Sequence, residues 1–278
     1  MDPIVSIIIP CYNQENYIAE TLNCIIVQEF QDWECIVIDD GSTDTSGLIC
    51  KKYSKDDRRI KYFKKINEGP SLARNYAISI SKGKYILPLD ADDLISKDYV
   101  QLCVEVLDKN PKVKLVYSEA EFFDQKKGKW ILPEFTFSKL LLYNMIFCSA
   151  MYRKTDFLVT KGYDPKMAKG LEDWEFWIEL LKTGGKVIKL RETHFYYRIK
   201  NSSRTTNIDL QTEADLKKQI YLNHYELYYE KYGDPLSLIG QMEHFKKHYN
   251  LLKNSNSYKI GTHIAKLLFF LKKPITKE

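Results

Sequence analysis

Val5–Ile9 is a short, largely β-branched run with Ser6 as its one polar residue, the pattern of a strand buried on both faces, and Pro10 ends it. Ile18, Leu22, Ile25 and Ile26 then recur at helical spacing. Trp33–Asp39 is a second strand, and Ser42 or Thr43 can cap a helix reaching about Lys55. Ile60–Lys64 is a weaker strand, Ser71–Ser81 a helix led in by Gly69-Pro70, and Tyr85–Leu89 another buried strand. A helix over Asp98–Lys109 stops at Asn110-Pro111, and Val113–Tyr117 is a further strand. Strand and helix alternate at βαβ spacing over about the first 120 residues. The pattern predicts an α/β fold whose mainly parallel central sheet has helices on both faces.

Beyond Glu119 the pattern is mixed. Cys148–Arg153 reads as a strand, Thr155–Lys161 as a short helix, and Leu171–Thr183 as a helix closed by Gly184-Gly185. Lys186–Leu190 and His194–Arg198 read as two strands, and from Asp209 onward the chain reads as helical. The predicted division is therefore a domain over 1–208 and a helical extension over 209–278.

Composition narrows the class. With 44% hydrophobic and 28% charged residues, the 278-residue chain is globular rather than disordered or fibrous. Its net charge of +5 is too small to mark a nucleic-acid binder, and no nucleic-acid partner is expected. The charge is uneven: residues 246–278 hold eight lysines and one acid, and the rest of the chain carries 34 basic against 36 acidic side chains. Six cysteines without a C-x-x-C pair, most within apolar runs, read as reduced buried thiols. The N-terminal segment lacks a basic region and a long apolar stretch, so it reads as a strand and not a signal peptide. The most apolar long run, Leu140–Tyr152, is too short to span a bilayer. These features lead to the expectation of a cytoplasmic protein.

Ligands of open α/β sheets bind beyond the carboxyl ends of the strands. Those ends carry Pro10-Cys11-Tyr12-Asn13, Asp39-Asp40-Gly41-Ser42 and Asp90-Ala91-Asp92-Asp93. Three carboxylates within four residues repel unless a cation or hydrogen-bond donors offset them. On an extended segment Asp90 and Asp92 point the same way, and two carboxylates plus phosphate oxygens suit Mg²⁺ or Mn²⁺. A solvated helix-capping turn is the plainer reading of the same residues. Asp39-Asp40 reads either as a turn or as a site for ribose hydroxyls or a base edge. Glu172-Asp173 opens an amphipathic helix: the pair either complements the helix dipole or supplies a general base tuned by nearby aromatics.

Together VSIIIPCYNQENYIAETLNCIIVQ, CIVIDDGSTDTS, NEGPSLARNYAI, GKYILPLDADDLI and GLEDWEFWIEL resemble glycosyltransferase family 2, inverting transferases of the GT-A fold. The motifs stand in the family's order over about residues 4–205. The resemblance implies a GT-A sheet, a nucleoside diphosphate sugar donor (a UDP-sugar first) and a divalent metal, Mn²⁺ or Mg²⁺. It implies that Pro10, Tyr12 and Asn13 border the nucleotide, that Asp39 meets the base with Asp40 beside it, and that Arg74 sits near the donor sugar and diphosphate. It makes Asp90-Ala91-Asp92 the D-x-D motif, with Asp92 as direct metal ligand and Asp90 on the ribose or metal shell. It makes Asp173 the catalytic base and has Glu172 place the acceptor. Where many relatives carry a histidine in a Tyr-Arg-x-His segment, this chain has Lys200, which cannot ligate a metal while charged and could contact the diphosphate instead. The implied acceptor is a glycan or lipid-linked hydroxyl, as in cell-surface polysaccharide synthesis.

The basic C-terminal end, with Ile264, Leu267, Leu268 and Leu271 between lysines, reads as a solvated helix or as one lying on an anionic membrane surface, the inner face for a cytoplasmic enzyme. A nucleotide-sugar-binding pseudoenzyme or interaction module is the alternative function. A dinucleotide-binding oxidoreductase is excluded by the lack of G-x-G-x-x-G.

Overall fold

The computed structural model of the chain describes residues 2–201, 204 and 207–271, which fall into two compact units that divide between His224 and Tyr225. In the first unit β1 (Val5–Cys11) is flanked by the parallel strand β2 (Trp33–Asp40), paired Val5↔Trp33 through Cys11↔Asp39. Both strands are buried along nearly their whole length, because helices cover both faces of the sheet. Helix α1 (Ile18–Ile26) puts Ile18, Leu22 and Ile25 into the core. Helix α2 (Ser46–Asp56), β3 (Ile60–Lys65), α3 (Pro70–Ile80) and β4 (Tyr85–Pro88) continue the alternation. The strand order β3-β2-β1-β4 reverses its winding between β1 and β4. A crevice therefore opens beyond the carboxyl ends of those two strands.

Past β4 the sheet is mixed. Strand β5 (Leu94–Ile95) and helix α4 (Tyr99–Lys109) lead into β6 (Val113–Asp124), which turns back through β7 (Gly128–Trp130). Helix α5 (Phe137–Leu140), β8 (Met151–Arg153), α6 (Lys154–Leu158), α7 (Glu172–Leu181), β9 (Lys186–Ile199) and α8 (Leu210–Asn223) complete the unit. β8 runs antiparallel between β4 and β6, while β9 is parallel to β6 and antiparallel to β5. The α/β class with flanking helices and a helical C-terminal region is as the sequence implied. The run β3-β2-β1-β4 is all parallel, and beyond the antiparallel β8 the long pair β6-β9 is parallel too.

Three local expectations change. Helix α2 starts after Thr45, not after Ser42 or Thr43, because those two residues are used to hold the loop after β1. The two strands read over 186–198 are one strand: the register slips from Ser118↔Leu190 to Glu119↔Thr193, so Arg191 and Glu192 are taken up in a bulge. Helix α8, read as the start of the extension, buries Leu216 and Ile220 within the first unit, whose compact body runs to His224.

The second unit holds α9 (Tyr225–Tyr232), α10 (Pro235–Asn254) and α11 (Asn256–Leu271). Ile239, Met242, Phe245, Tyr249 and Leu252 of α10 and Ile260, Ile264 and Leu268 of α11 are exposed. Of the eight tail lysines, Lys272, Lys273 and Lys277 lie outside the described residues. Among the described residues no helix is long and apolar enough to cross a membrane, and all six cysteines are unpaired thiols.

Candidate active site

A cleft of about 320 Å³ opens at the crevice between β1 and β4. Pro10, Tyr12, Asp40, Arg74, Asp90, Ala91, Asp92 and Lys200 line it, all of them singled out in the sequence, and Arg204 joins them. Asp90–Asp93 is a tight turn rather than an extended segment, closed by the Asp93 N–H donating to the Asp90 carbonyl at 3.2 Å. Asp90 Oδ1 pairs with Arg74 at 2.5 Å, and Asp92 Oδ2 pairs with Lys200 at 2.5 Å. Asp93 turns inward, fully buried, and accepts the Arg198 N–H at 2.9 Å. Burial pushes the Asp92 carboxyl above its usual range, Lys200 pulls it back, and the charge of Asp90 adds to the rise.

Arg74, on α3 and 1% exposed, reaches from Asp90 to Glu172, whose Oε1 it meets at 2.8 Å. Arg204 meets the same oxygen at 2.5 Å. Burial alone would raise the Glu172 carboxyl, but Arg204 and Arg74 outweigh it and hold it at about 2. Asp173, the next residue, is raised to about 6 by burial and by the charge of Glu172. Asn144 Nδ2, 3.2 Å from both Asp173 oxygens, and the Trp174 N–H at 2.7 Å oppose that rise. Adjacent carboxyls are thus driven in opposite directions, one locked as an anion and one poised to exchange a proton.

The packing of α7 fixes this pair. Trp174 Nε1 donates to the Leu140 carbonyl at 2.6 Å and Trp177 Nε1 to the Ile146 carbonyl at 3.1 Å. Phe176 stacks on Tyr163 at 4.2 Å between centroids. Leu171, immediately before the pair, has φ +59°, a conformation costly for a branched side chain and concentrated at functional sites.

Not every predicted residue reaches the cleft. Asp39 is wholly buried, its Oδ1 accepting the Ser42 N–H at 2.8 Å and its Oδ2 the Tyr62 hydroxyl at 2.7 Å. It braces the loop after β2, so the expected contact with a base is not open to it in this geometry. Asp40 takes the cleft position and accepts the Glu68 and Gly69 N–H groups at 3.0 and 2.8 Å. Asn13 (φ +52°) ties the two loops together, its Oδ1 accepting the Thr43 N–H at 2.9 Å.

The hard oxygen donors of Asp90 and Asp92 suit Mg²⁺ or Mn²⁺; Asp90 gives Oδ1 to Arg74 and Oδ2 to the Cys148 thiol at 3.4 Å, and Asp92 gives Oδ2 to Lys200. A tighter trio, Asp90, Asp93 and Cys148, has ligand atoms within 4.8 Å of one another. It suits such a metal poorly. Burial and the charge of Asp90 push the Cys148 thiol well up, so it stays protonated, while Asp93 gives Oδ1 to the Arg198 N–H and keeps a buried Oδ2 without a hydrogen-bond partner among the described residues.

Residues 6–166 match the family model described as glycosyl transferase family 2, more than half of the chain. The chain belongs to glycosyl transferase family 2. An uncharacterised glycosyltransferase of Rickettsia conorii is 40% identical over 134 residues, which span 47% of this chain and 21% of that protein. The chain thus matches about a fifth of that much longer relative. Among solved structures, residues 1–349 of Staphylococcus aureus TarS in complex with UDP-GlcNAc superpose with a TM-score of 0.65 at 21% identity, covering 80% of this chain and 66% of that one. The mannosyltransferase PcManGT of Pyrobaculum calidifontis, in complex with GDP-Man and Mn²⁺, gives 0.58 at 16% identity, covering 100% and 89%. The architecture is that of these glycosyltransferases, in line with the GT-A fold implied by the motifs.

Within this family 2 chain, four site residues escaped the sequence reading. Arg204 lies in a polar run, KNSSRTT, with no periodic signal. Asn144 showed only as an interruption of an apolar stretch, and Cys148 as part of a strand. Arg198 was seen in Tyr197-Arg198-Ile199-Lys200 without a role, yet its side chain binds the Asp92 carbonyl, Asp124 and Glu20. A basic or amide residue interrupting an apolar run was the signal available.

Proposed function

We propose that the chain transfers a glycosyl unit from a nucleoside diphosphate sugar, a UDP-sugar first, to a hydroxyl of a glycan or lipid-linked acceptor, with inversion. The observation that carries this reading is Asp173, raised to about 6 beside an anionic Glu172 that Arg74 joins to Asp90 in the cleft. A base of that strength is ionised at neutral pH and still accepts a proton. Asp173 takes the acceptor hydroxyl proton as that oxygen attacks the anomeric carbon from the face opposite the diphosphate. The bond from that carbon to the diphosphate oxygen breaks, and its electron pair leaves with the phosphate. Arg74 and Arg204, already oriented by Glu172, meet the charge that grows on the leaving group, which favours the transition state over the ground state. A divalent cation held by Asp92 with Asp90 would supply further Lewis-acid stabilisation of the diphosphate. Pro10, Tyr12 and Asp40 border the nucleotide in this reading, and Glu172 helps to place the acceptor.

The fold likeness to proteins solved with UDP-GlcNAc, or with GDP-Man and Mn²⁺, supports a nucleotide-sugar donor. The exposed apolar side chains and lysines of α10 and α11 support a lipid-linked acceptor met at an anionic membrane surface.

Thermal stabilisation by a panel of nucleotide sugars, with and without Mn²⁺, followed by assay of released nucleotide, tests the reading. A ligand that binds only the folded state raises Tm by mass action. Metal-dependent stabilisation by one donor with slow release of its nucleoside diphosphate is the expected result. Stabilisation without any release, even with acceptors supplied, would replace the enzyme by a nucleotide-sugar-binding module.

A further inference from the structure

Lys200 immediately follows β9, and its ammonium lies 2.5 Å from Asp92 Oδ2 with only 12% of the side chain exposed. Gln14 Oε1 accepts a longer bond from it at 3.3 Å, and the Tyr17 ring lies 4.9 Å away. The contact is built into the fold. β5, which follows the acidic turn, pairs with β9 at Leu94↔Tyr196, and the Arg198 N–H and Nε are bonded to Asp93 and to the Asp92 carbonyl. These bonds staple the end of β9 to the acidic turn, so Lys200 is delivered to Asp92 whenever the sheet forms.

The proposed function gives that same carboxylate to a divalent cation. An ammonium and a dication on one partly buried carboxylate repel strongly, since screening by water is weak there. One of them has to leave. A lysine head rides on a flexible four-carbon stem, so it can swing within the cleft it already lines. The oxygens of a bound diphosphate are the natural new partner.

We infer that Lys200 is an internal countercharge for Asp92, which a divalent cation displaces and a nucleotide diphosphate then captures. This rests on the reading of the cleft as a nucleotide-sugar site. Metal alone must drive the ammonium away with nothing to receive it. Metal with nucleotide moves it from one anion to another. Lys200 therefore weakens metal binding to the free protein and strengthens it once nucleotide is present, and the coupling is reciprocal. A metal that merely bridged Asp92 and the diphosphate would also bind cooperatively, but removing Lys200 would then leave the affinity for metal alone unchanged.

The experiment measures Mn²⁺ binding by the loss of its free-ion electron paramagnetic resonance signal, and UDP binding by calorimetry, on the full chain and on Lys200→Met and Lys200→Gln. The two variants share the lost charge and differ in polarity, so agreement between them excludes a packing artefact. Mn²⁺ alone should bind about tenfold tighter to both variants, while UDP at saturating Mn²⁺ should bind about tenfold weaker. Equal or weaker binding of Mn²⁺ alone to the variants would overturn the inference, with UDP binding by the unaltered protein showing that the donor site itself survives. If UDP fails to bind the unaltered protein with or without Mn²⁺, the donor-site reading falls, and this inference with it.

Discussion

Arg74 and Glu172 stand 98 residues apart in the chain and meet at 2.8 Å, both buried, where Arg74 lines the cleft. The arginine links the acidic turn after β4 to the acidic start of α7. Burial disfavours its charge, and Asp90 and Glu172 more than restore it. Truncating one member of such a buried set strands the other charges, which typically costs about 3–5 kcal/mol. Arg74→Met should lower Tm and weaken nucleotide binding together, while Arg74→Lys should recover part of the stability without the two-directional geometry. Calorimetric scans paired with UDP titrations measure both, and a full-affinity Arg74→Met would contradict the placement of this guanidinium at the donor.

As the proposed base, Asp173 should set the acid limb of activity. As a base it works only when deprotonated, so kcat/KM should fall below about pH 6 with unit slope. The amide of Asn144 lowers the proton affinity of Asp173, so Asn144→Ala should move that limb to higher pH. A limb that stays in place would remove Asp173 from the titration. Asp173→Asn should lose roughly 10²–10⁴-fold in turnover and keep its donor affinity. Because ionised Asp173 is disfavoured in the folded state at neutral pH, the same variant should melt no lower than the unaltered protein.

Glu172 makes the opposite prediction for stability. Its folded carboxyl, at about 2, lies below the ordinary value of 4.5. The stabilisation it contributes is complete above the unfolded value and is lost as pH falls from there through the folded one. Glu172→Gln should therefore lower Tm at pH 7 and flatten the loss of Tm between about pH 5 and pH 2. Parallel melting curves for the two proteins across that range would count against the Arg74–Glu172–Arg204 assembly.

The exposed apolar residues and lysines of α10 and α11 give a membrane prediction. Vesicles containing anionic phospholipid should sediment the full chain, weakly in high salt and strongly in low salt, and neutral vesicles should not. Removing residues 255–278 should abolish the effect. Equal sedimentation with neutral and anionic vesicles would dismiss the electrostatic part of the contact.

The sequence by itself determined the βαβ alternation, because a strand buried on both faces is a near-continuous apolar run, as in Val5–Ile9 and Trp33–Asp39, whose interior polar residues Ser6 and Glu34 bond to each other. It also located the three polar strand ends, since short acidic or turn-forming loops directly follow those runs. Only the tertiary structure decided which atoms of those loops face the cleft. Asp39 and Asp40 are neighbours in a strand and point to opposite sides, so one became a brace and the other a wall. Asp90–Asp93 folded as a turn, which no periodicity announces. The bulge in β9 likewise decided which of its residues meet the acidic turn, and with them the place of Lys200. Arg74, Glu172 and Arg204 come from three distant segments, and their charges shift one another only at contact distance. Local pattern specifies elements because it acts through neighbours in the chain. The chemistry of the site depends on charges brought together across the fold, which the chain order does not contain.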